Sequence, residues 1–178
     1  VTLPRRGQSP QNETAYKINE DSRSYFQRTL SSAQGASTRE YLSERGLDKL
    51  AIEAFGIGLS PTDGESLKNH LIREGYTPEE LINAGVVRTG DDGVSRDLFR
   101  GRLMFPIRDP HGNLVGFGAR TLDGSEPKYL NSPQGPMFDK SRILYAMDKA
   151  RTDIRKDGAV IVEGYMDAIA AHQAGFKN

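Results

Sequence analysis

From Glu13 to Ala33, the apolar residues Ile18, Tyr25, Phe26, Leu30 and Ala33 recur close to every 3.6 positions. That is the spacing of one helix face, and Gly35 closes the segment. The next stretch, "STREYLSERG", places Ser37 and Glu40 at capping-box separation, with Gly46 as the stop. "DKLAIEAFG" repeats the pattern with Asp48 as N-cap and Gly56 as stop, and "IGL" is a short extended piece. Leu67, Leu71 and Ile72 make a further helix face that ends at Gly75. "TPEELINAG" is the clearest helix: Thr77 caps it, Pro78 opens it, Glu80 completes the box and Gly85 follows it. The first half therefore predicts short helices separated by glycines.

The pattern then changes. "RLMFPIRDPHGNLVGFGAR" is two extended apolar runs joined by a turn sequence, which predicts a β-hairpin. Pro106 inside the first run argues for an edge or bulged position, because proline donates no ladder hydrogen bond. Arg100, Arg102 and Arg108 fall on even positions and Leu103, Phe105 and Ile107 on odd ones, so a regular strand would put the arginines on one side. "PKYLNSPQGPMF" has three prolines in twelve residues and reads as a loop or short strand. Helix period returns through Leu144, Met147 and Ile154. "AVIVE" comes next as a strand of the kind buried on both faces in a parallel α/β sheet, then a helix from about Tyr165 to Ala174.

Composition narrows the class. The 178 residues are 36% hydrophobic and 27% charged, as in a globular protein of one domain, with room for a piece of a second. No apolar run is long enough to span a bilayer, so no membrane role is expected. The polar, proline-containing start "VTLPRRGQSPQNE" reads as a linker or disordered tail over residues 1–13. With no initiating Met, the expectation is a piece cut from a longer protein. Cysteine is absent, which excludes disulfides and thiolate zinc and fits a cytosolic location. His70, His111 and His172 are scattered without metal-ligand spacing. Net charge is zero, yet residues 96–142 hold eight Lys/Arg against five Asp/Glu, a local +3. That excess suits either an anion-binding surface or an ordinary solvated face.

Two constellations carry candidate chemistry. Glu163 ends the "AVIVE" run, Gly164 permits a tight turn and Asp167 falls in the first turn of the next helix. Ligands gather at the carboxyl ends of strands in such sheets, and two carboxylates there suit a hard divalent cation. The competing reading is a solvated Glu and an Asp favoured by the helix dipole. The second constellation is the basic hairpin and the Pro-rich segment after it: Arg100, Arg102, Arg120, Lys128 and Lys140 among Gly116, Gly118, Gly124 and Gly135. Arginine forks and lysine point charges suit phosphates, and Tyr129 suits stacking on a base or half-buried packing on the sheet. A row of arginines is equally what a wet strand face looks like.

Taken together, "RGRLMFPIRD", "GFGAR", "PKYLNSP", "LY" and "VIVEGYMD", with "TREYLSERG" upstream, resemble the RNA-polymerase core of bacterial DnaG-type DNA primases. The likeness runs from about Ala15 to the end. It implies a mixed α/β (α+β) fold: a helical and β-hairpin N-terminal subdomain over residues 14–157, then the first strand and helix of a toprim domain over residues 158–178. It implies an enzyme that makes short RNA primers on single-stranded DNA in the bacterial cytosol, as a DNA-directed RNA polymerase using NTPs and Mg²⁺ or Mn²⁺. It also implies a replicative helicase as partner, docked through a domain outside these residues. Carried over by motif, Glu163 is the toprim glutamate, acting as metal ligand or general base, and Asp167 is the aspartate of "EGYMD" beside it. Arg100, Arg102, Arg120, Lys128, Tyr129, Asn131 and Lys140 would line the nucleotide and template groove, with Ser132 in the same motif.

Departures from the family pattern shape the rest of the expectation. Without cysteine there is no zinc ribbon, and the later acidic motifs of toprim are not in these residues. The piece alone is expected to be inactive, with an incomplete metal site and a strand edge at which copies could associate. Alternatives are a module that only binds nucleic acid or nucleotides, and part of another toprim enzyme such as a primase-helicase.

Overall fold

The computed structural model describes residues 10–178, so most of the expected linker lies outside the described residues. Helix α1 (Pro10–Ser31) already begins at Pro10, four residues before the first expected subdomain. It buries Ala15, Ile18, Phe26 and Leu30, as its period requires. It also buries three polar side chains, Asn19, Ser22 and Thr29, each with a partner; Thr29 Oγ1 donates to Tyr25 O at 3.1 Å. Asn19 Nδ2 donates to Leu114 O at 3.1 Å, and Ser22 Oγ donates to Ile18 O at 2.7 Å.

A 3-10 turn (Ala33–Gly35) runs directly into α2 (Ala36–Glu44). Ser32 caps the turn, so α2 starts before Ser37, and the box expected between Ser37 and Glu40 is not made. Elsewhere the caps fall where their chemistry puts them. Asp48 accepts from Ala51 N at the start of α3 (Lys49–Phe55), and Gly56 takes the left-handed conformation that ends it. Thr77 and Glu80 form the full box on α5 (Pro78–Asn83). Helix α4 (Ser66–Arg73) buries Leu67 and Leu71, whereas Ile72 is 41% exposed, turned off the core face by one position.

Strands β1 (Gly58–Leu59), β4 (Arg102–Arg108), β5 (Leu114–Thr121) and β6 (Tyr129–Asn131) form an antiparallel sheet in the order β1-β4-β5-β6. A separate ribbon pairs β2 (Val87–Thr89) with β3 (Ser95–Asp97). From β3, the buried Asp97 receives the backbone N–H groups of Leu67 and Lys68 at 3.0 and 2.8 Å, a cap for α4 supplied from across the fold. Burial dominates its titration and pushes the carboxyl up despite these bonds.

The hairpin β4–β5 forms as expected, and Pro106 pairs with Phe117 beyond the reach of β1, where its other side needs no donor. The register shifts one residue later, between Ile107 and Arg108. The one-sided row of arginines does not form. Strand β4 lies between two cores: Leu103 and Phe105 pack with Leu42, Ile57 and Ile169, while Met104 packs with Phe26, Leu71 and Phe117. Burial on both faces leaves no wet face for a row, so each arginine goes to its own partner.

One of these partners ties α1 to the end of β4. Glu20 bridges Arg108 at 2.6 Å and Arg23 at 2.7 Å. Partial burial raises the Glu20 pKa, but the two arginines outweigh it and hold the carboxyl below its usual range. A depressed folded pKa gives stability above the unfolded pKa that is lost as pH falls through the folded one. Glu20→Gln should cost about 1 kcal/mol at neutral pH, the upper range for a half-exposed pair. The difference from the parent should vanish in acid; a gap that persists there in urea melts would show that packing, not charge, is responsible.

Helices α6 (Met147–Asp157) and α7 (Tyr165–Gln173) form, but the strand expected at "AVIVE" does not. Residues 159–162 carry no regular secondary structure and pair with no described strand, Glu163 sits at a bend, and Val160, Ile161 and Val162 are 52%, 81% and 40% exposed. A β-branched run becomes a strand only where another strand accepts its hydrogen bonds, and here Val160 N reaches only Asn178 O at 3.3 Å. The strand edge expected to pair copies is therefore not formed either. No described helix is long and apolar enough to cross a membrane.

Candidate functional site

Arg120 is the centre of the site. It sits near the end of β5, directly opposite Tyr129 on β6. Its guanidinium lies 5.8 Å from the Tyr129 ring centroid and 5.7 Å from that of Tyr41 on α2. Arg45, just past the end of α2, covers Tyr41 at 5.3 Å, and Lys128 covers Tyr129 at 5.9 Å. The result is an alternating ladder of cations and aromatic rings: Arg45, Tyr41, Arg120, Tyr129, Lys128. The rings hold the cations without neutralising them, so their charge stays available to an anion.

Two grooves of about 210 Å³ each meet at Arg120. One runs past Tyr41, Thr121 and Lys128. The other runs past Arg45 and Tyr129 to Gly164, Tyr165, Met166 and Asp167. Arg120 Nη1 lies 3.5 Å from Met166 Sδ on the first turn of α7. Arg120 on the sheet, Arg45 just past α2 and the Asp167 carboxylate on α7 thus line one groove.

The two expected acids differ in their employment. Asp167 Oδ2 accepts Gly164 N at 3.1 Å and caps its own helix. Glu163 is exposed and lines a neighbouring, largely apolar groove of about 340 Å³ with Val160 and Val162. Among the described residues no three acidic, imidazole or thiolate side chains are grouped to hold a metal. The carboxylates have the right oxygen chemistry for a hard cation, but alone they do not complete a site for one.

The other expected residues scatter. Arg102 is only 8% exposed and donates to Pro127 O at 2.7 Å, so it braces the loop before β6. Arg100 is exposed over Gly64 and donates to Asp97 O at 3.3 Å. Lys140 is exposed on the loop anchored by Phe138 and does not line either groove at Arg120. Asn131 accepts from the Tyr165 hydroxyl at 2.9 Å, and the buried Ser132 accepts from Phe117 N at 2.9 Å. Both therefore hold the protein's own chain. Sequence reasoning gave no role to Tyr41, Arg45 or Tyr165; the only signal for the first two was the "TREYLSERG" motif.

The fold matches about half of a primase RNA polymerase domain. The RNA polymerase domain of Mycobacterium tuberculosis primase DnaG superposes with a TM-score of 0.87 at 40% identity, over 93% of this chain and 54% of that one. A DnaG primase catalytic domain bound to single-stranded DNA superposes with a TM-score of 0.84 at 37% identity, over 96% of this chain and 55% of that one. The DNA primase of Synechococcus elongatus is 42% identical over 170 residues, 93% of this chain and 24% of that protein. Residues 25–151 match the model of the DNA primase catalytic core, N-terminal domain, and the chain belongs to that family. It spans 24–27% of the length of the cyanobacterial and staphylococcal relatives it matches.

Proposed function

We propose that this chain is the template- and nucleotide-holding part of a primase, the enzyme that makes RNA primers on single-stranded DNA in the bacterial cytosol. The supporting observation is the ladder at Arg120, which shares a groove with Asp167. Cations spaced by aromatic rings suit a single strand: the charges meet phosphates and the rings offer faces to bases. In the same reading, residues 158–178 begin a toprim domain, and Glu163 and Asp167 belong to an acidic site completed by other parts of the whole protein. A divalent cation such as Mg²⁺ or Mn²⁺ bound there would offset negative charge on the phosphate under attack. NTPs and a replicative helicase are partners of that whole protein. The alternative, a module that only binds, is favoured by one observation: among the described residues the ladder is fully formed, while no group of acids that could hold a metal is.

The test is binding. Arg120→Ala with Lys128→Ala should weaken single-stranded DNA binding about tenfold or more at low salt. It should also flatten the salt dependence, log K against log salt, by roughly 1.4, two phosphate contacts at about 0.7 each. Fluorescence anisotropy across a salt series measures both. A double variant with parental affinity and slope would remove the ladder from the nucleic-acid surface.

A further inference from the structure

Tyr165 opens α7, between Glu163 and Asp167 in the chain, and its side chain is the most constrained of that turn. Its ring stacks on Phe105 at 5.1 Å and meets Tyr145 edge-on at 4.8 Å. It lies so close over Gly118 that a β-carbon there would overlap Cε2, Cζ and the hydroxyl of Tyr165. Its hydroxyl donates to Asn131 Oδ1 at 2.9 Å. Gly118 and Asn131 are cross-strand partners, and the pair two positions away is Arg120 with Tyr129. The socket for Tyr165 and the centre of the ladder are therefore built on the same two strands.

The far end of α7 is fixed as well. Gln173 Nε2 donates to Gly46 O at 2.8 Å, and Gln173 Oε1 accepts from Asp48 N at 2.9 Å. Gly46 is next to Arg45, the outer rung of the ladder. Helix α7 is thus pinned at both ends to the segments that carry the cations. Ring packing alone keeps a helix near a sheet but leaves it free to slide and rotate by a fraction of an ångström. A directional hydrogen bond in a tight socket removes that freedom.

We propose that Tyr165 is a positioning residue: its phenol, seated on Gly118 and bonded to Asn131, sets the register between the cations of the ladder and the carboxylates Glu163 and Asp167. The proposal rests on the primase reading for its consequence and on geometry alone for its cause.

Tyr165→Phe keeps the rings and removes only the donor. In the whole primase it should leave template affinity and the KM for NTP within about twofold and lower kcat about tenfold, since small misplacements of reacting groups are costly. Asn131→Ala should lower kcat equally, and the double variant should be no worse than either single one. A parental kcat, or a loss confined to KM, or additive losses would overturn the proposal. A second arm needs no activity. The chain has no cysteine, so spin labels at L122C and A174C report the distance from the end of β5 to the end of α7. That distribution should be narrow in the parent and broader with Tyr165→Phe; an unchanged width overturns the proposal whatever the enzyme does. Glu163→Gln run beside it separates the two ideas. If it keeps full activity, the acidic-site reading fails while the label distances still decide the role of Tyr165.

Discussion

Glu163→Gln in the whole primase is expected to cut kcat for primer synthesis by about 10²–10³-fold, the scale for losing one electrostatic group at a reacting centre. Template affinity and the melting temperature should stay close to the parent. Glutamine keeps the shape and hydrogen-bonding reach of the side chain and removes only its charge. Because Glu163 is exposed, the change should alter stability by no more than about 0.5 kcal/mol. Asp167 makes the instructive contrast. Its Oδ2 holds Gly164 N at 3.1 Å, so removing that carboxylate also weakens the first turn of α7. A loss of synthesis there would mix structure with chemistry, whereas at Glu163 it reports chemistry alone. Steady-state primer synthesis with a thermal melt on the same preparation decides the matter. A variant with parental kcat would remove Glu163 from the reacting centre.

The parts of this fold that can be read from the sequence are those that sequence neighbours decide. Thr77 and Glu80 close a box within one turn, Asp48 and Gly56 bracket a seven-residue helix, and the turn after Arg108 joins two runs into a hairpin. Misreadings arise where distant parts of the chain decide. Alternation in β4 assumes one wet face, and β4 has none, so Arg102 is a brace and not part of a cationic row. Asp97 caps a helix 30 residues away, which no local pattern encodes. The apolar run at 159–163 has strand propensity, but a strand is defined by its partner, and no described segment is one. The site divides the same way. Arg120, Lys128 and Tyr129 lie within one hairpin's reach, so their grouping is legible in the chain. Tyr41 and Arg45, which complete the ladder, arrive on a helix from the other end of the chain.

Gly58→Ala should be among the most damaging single-methyl changes in this chain. Strand β1 passes directly beneath α1, and a β-carbon on Gly58 would lie 2.5 Å from Phe26 Cβ, 2.7 Å from Phe26 C and 3.0 Å from Gln27 N. Two of these three atoms are helix backbone, which cannot swing aside as a side chain can. Nor can α1 retreat cheaply. It is held by Asn19 to Leu114, by Asp21 to the Tyr76 hydroxyl at 2.7 Å, and by Phe26 edge-on to Phe117 at 5.4 Å. Opening that gap loosens each contact in turn, so the cost should reach about 3 kcal/mol, the upper part of the usual overpacking range. For a domain of this size that lowers the melting temperature by roughly 6–12 °C. Gly135→Ala is the matched control, because a β-carbon there meets nothing within 4 Å. It should melt within about 2 °C of the parent. Well below its melt, the Gly58 variant should still bind single-stranded DNA normally, because the ladder stands on β5, β6 and α2 and not on β1. If both variants melt with the parent, α1 is not locked against β1, and the layer behind the sheet is looser than these distances require.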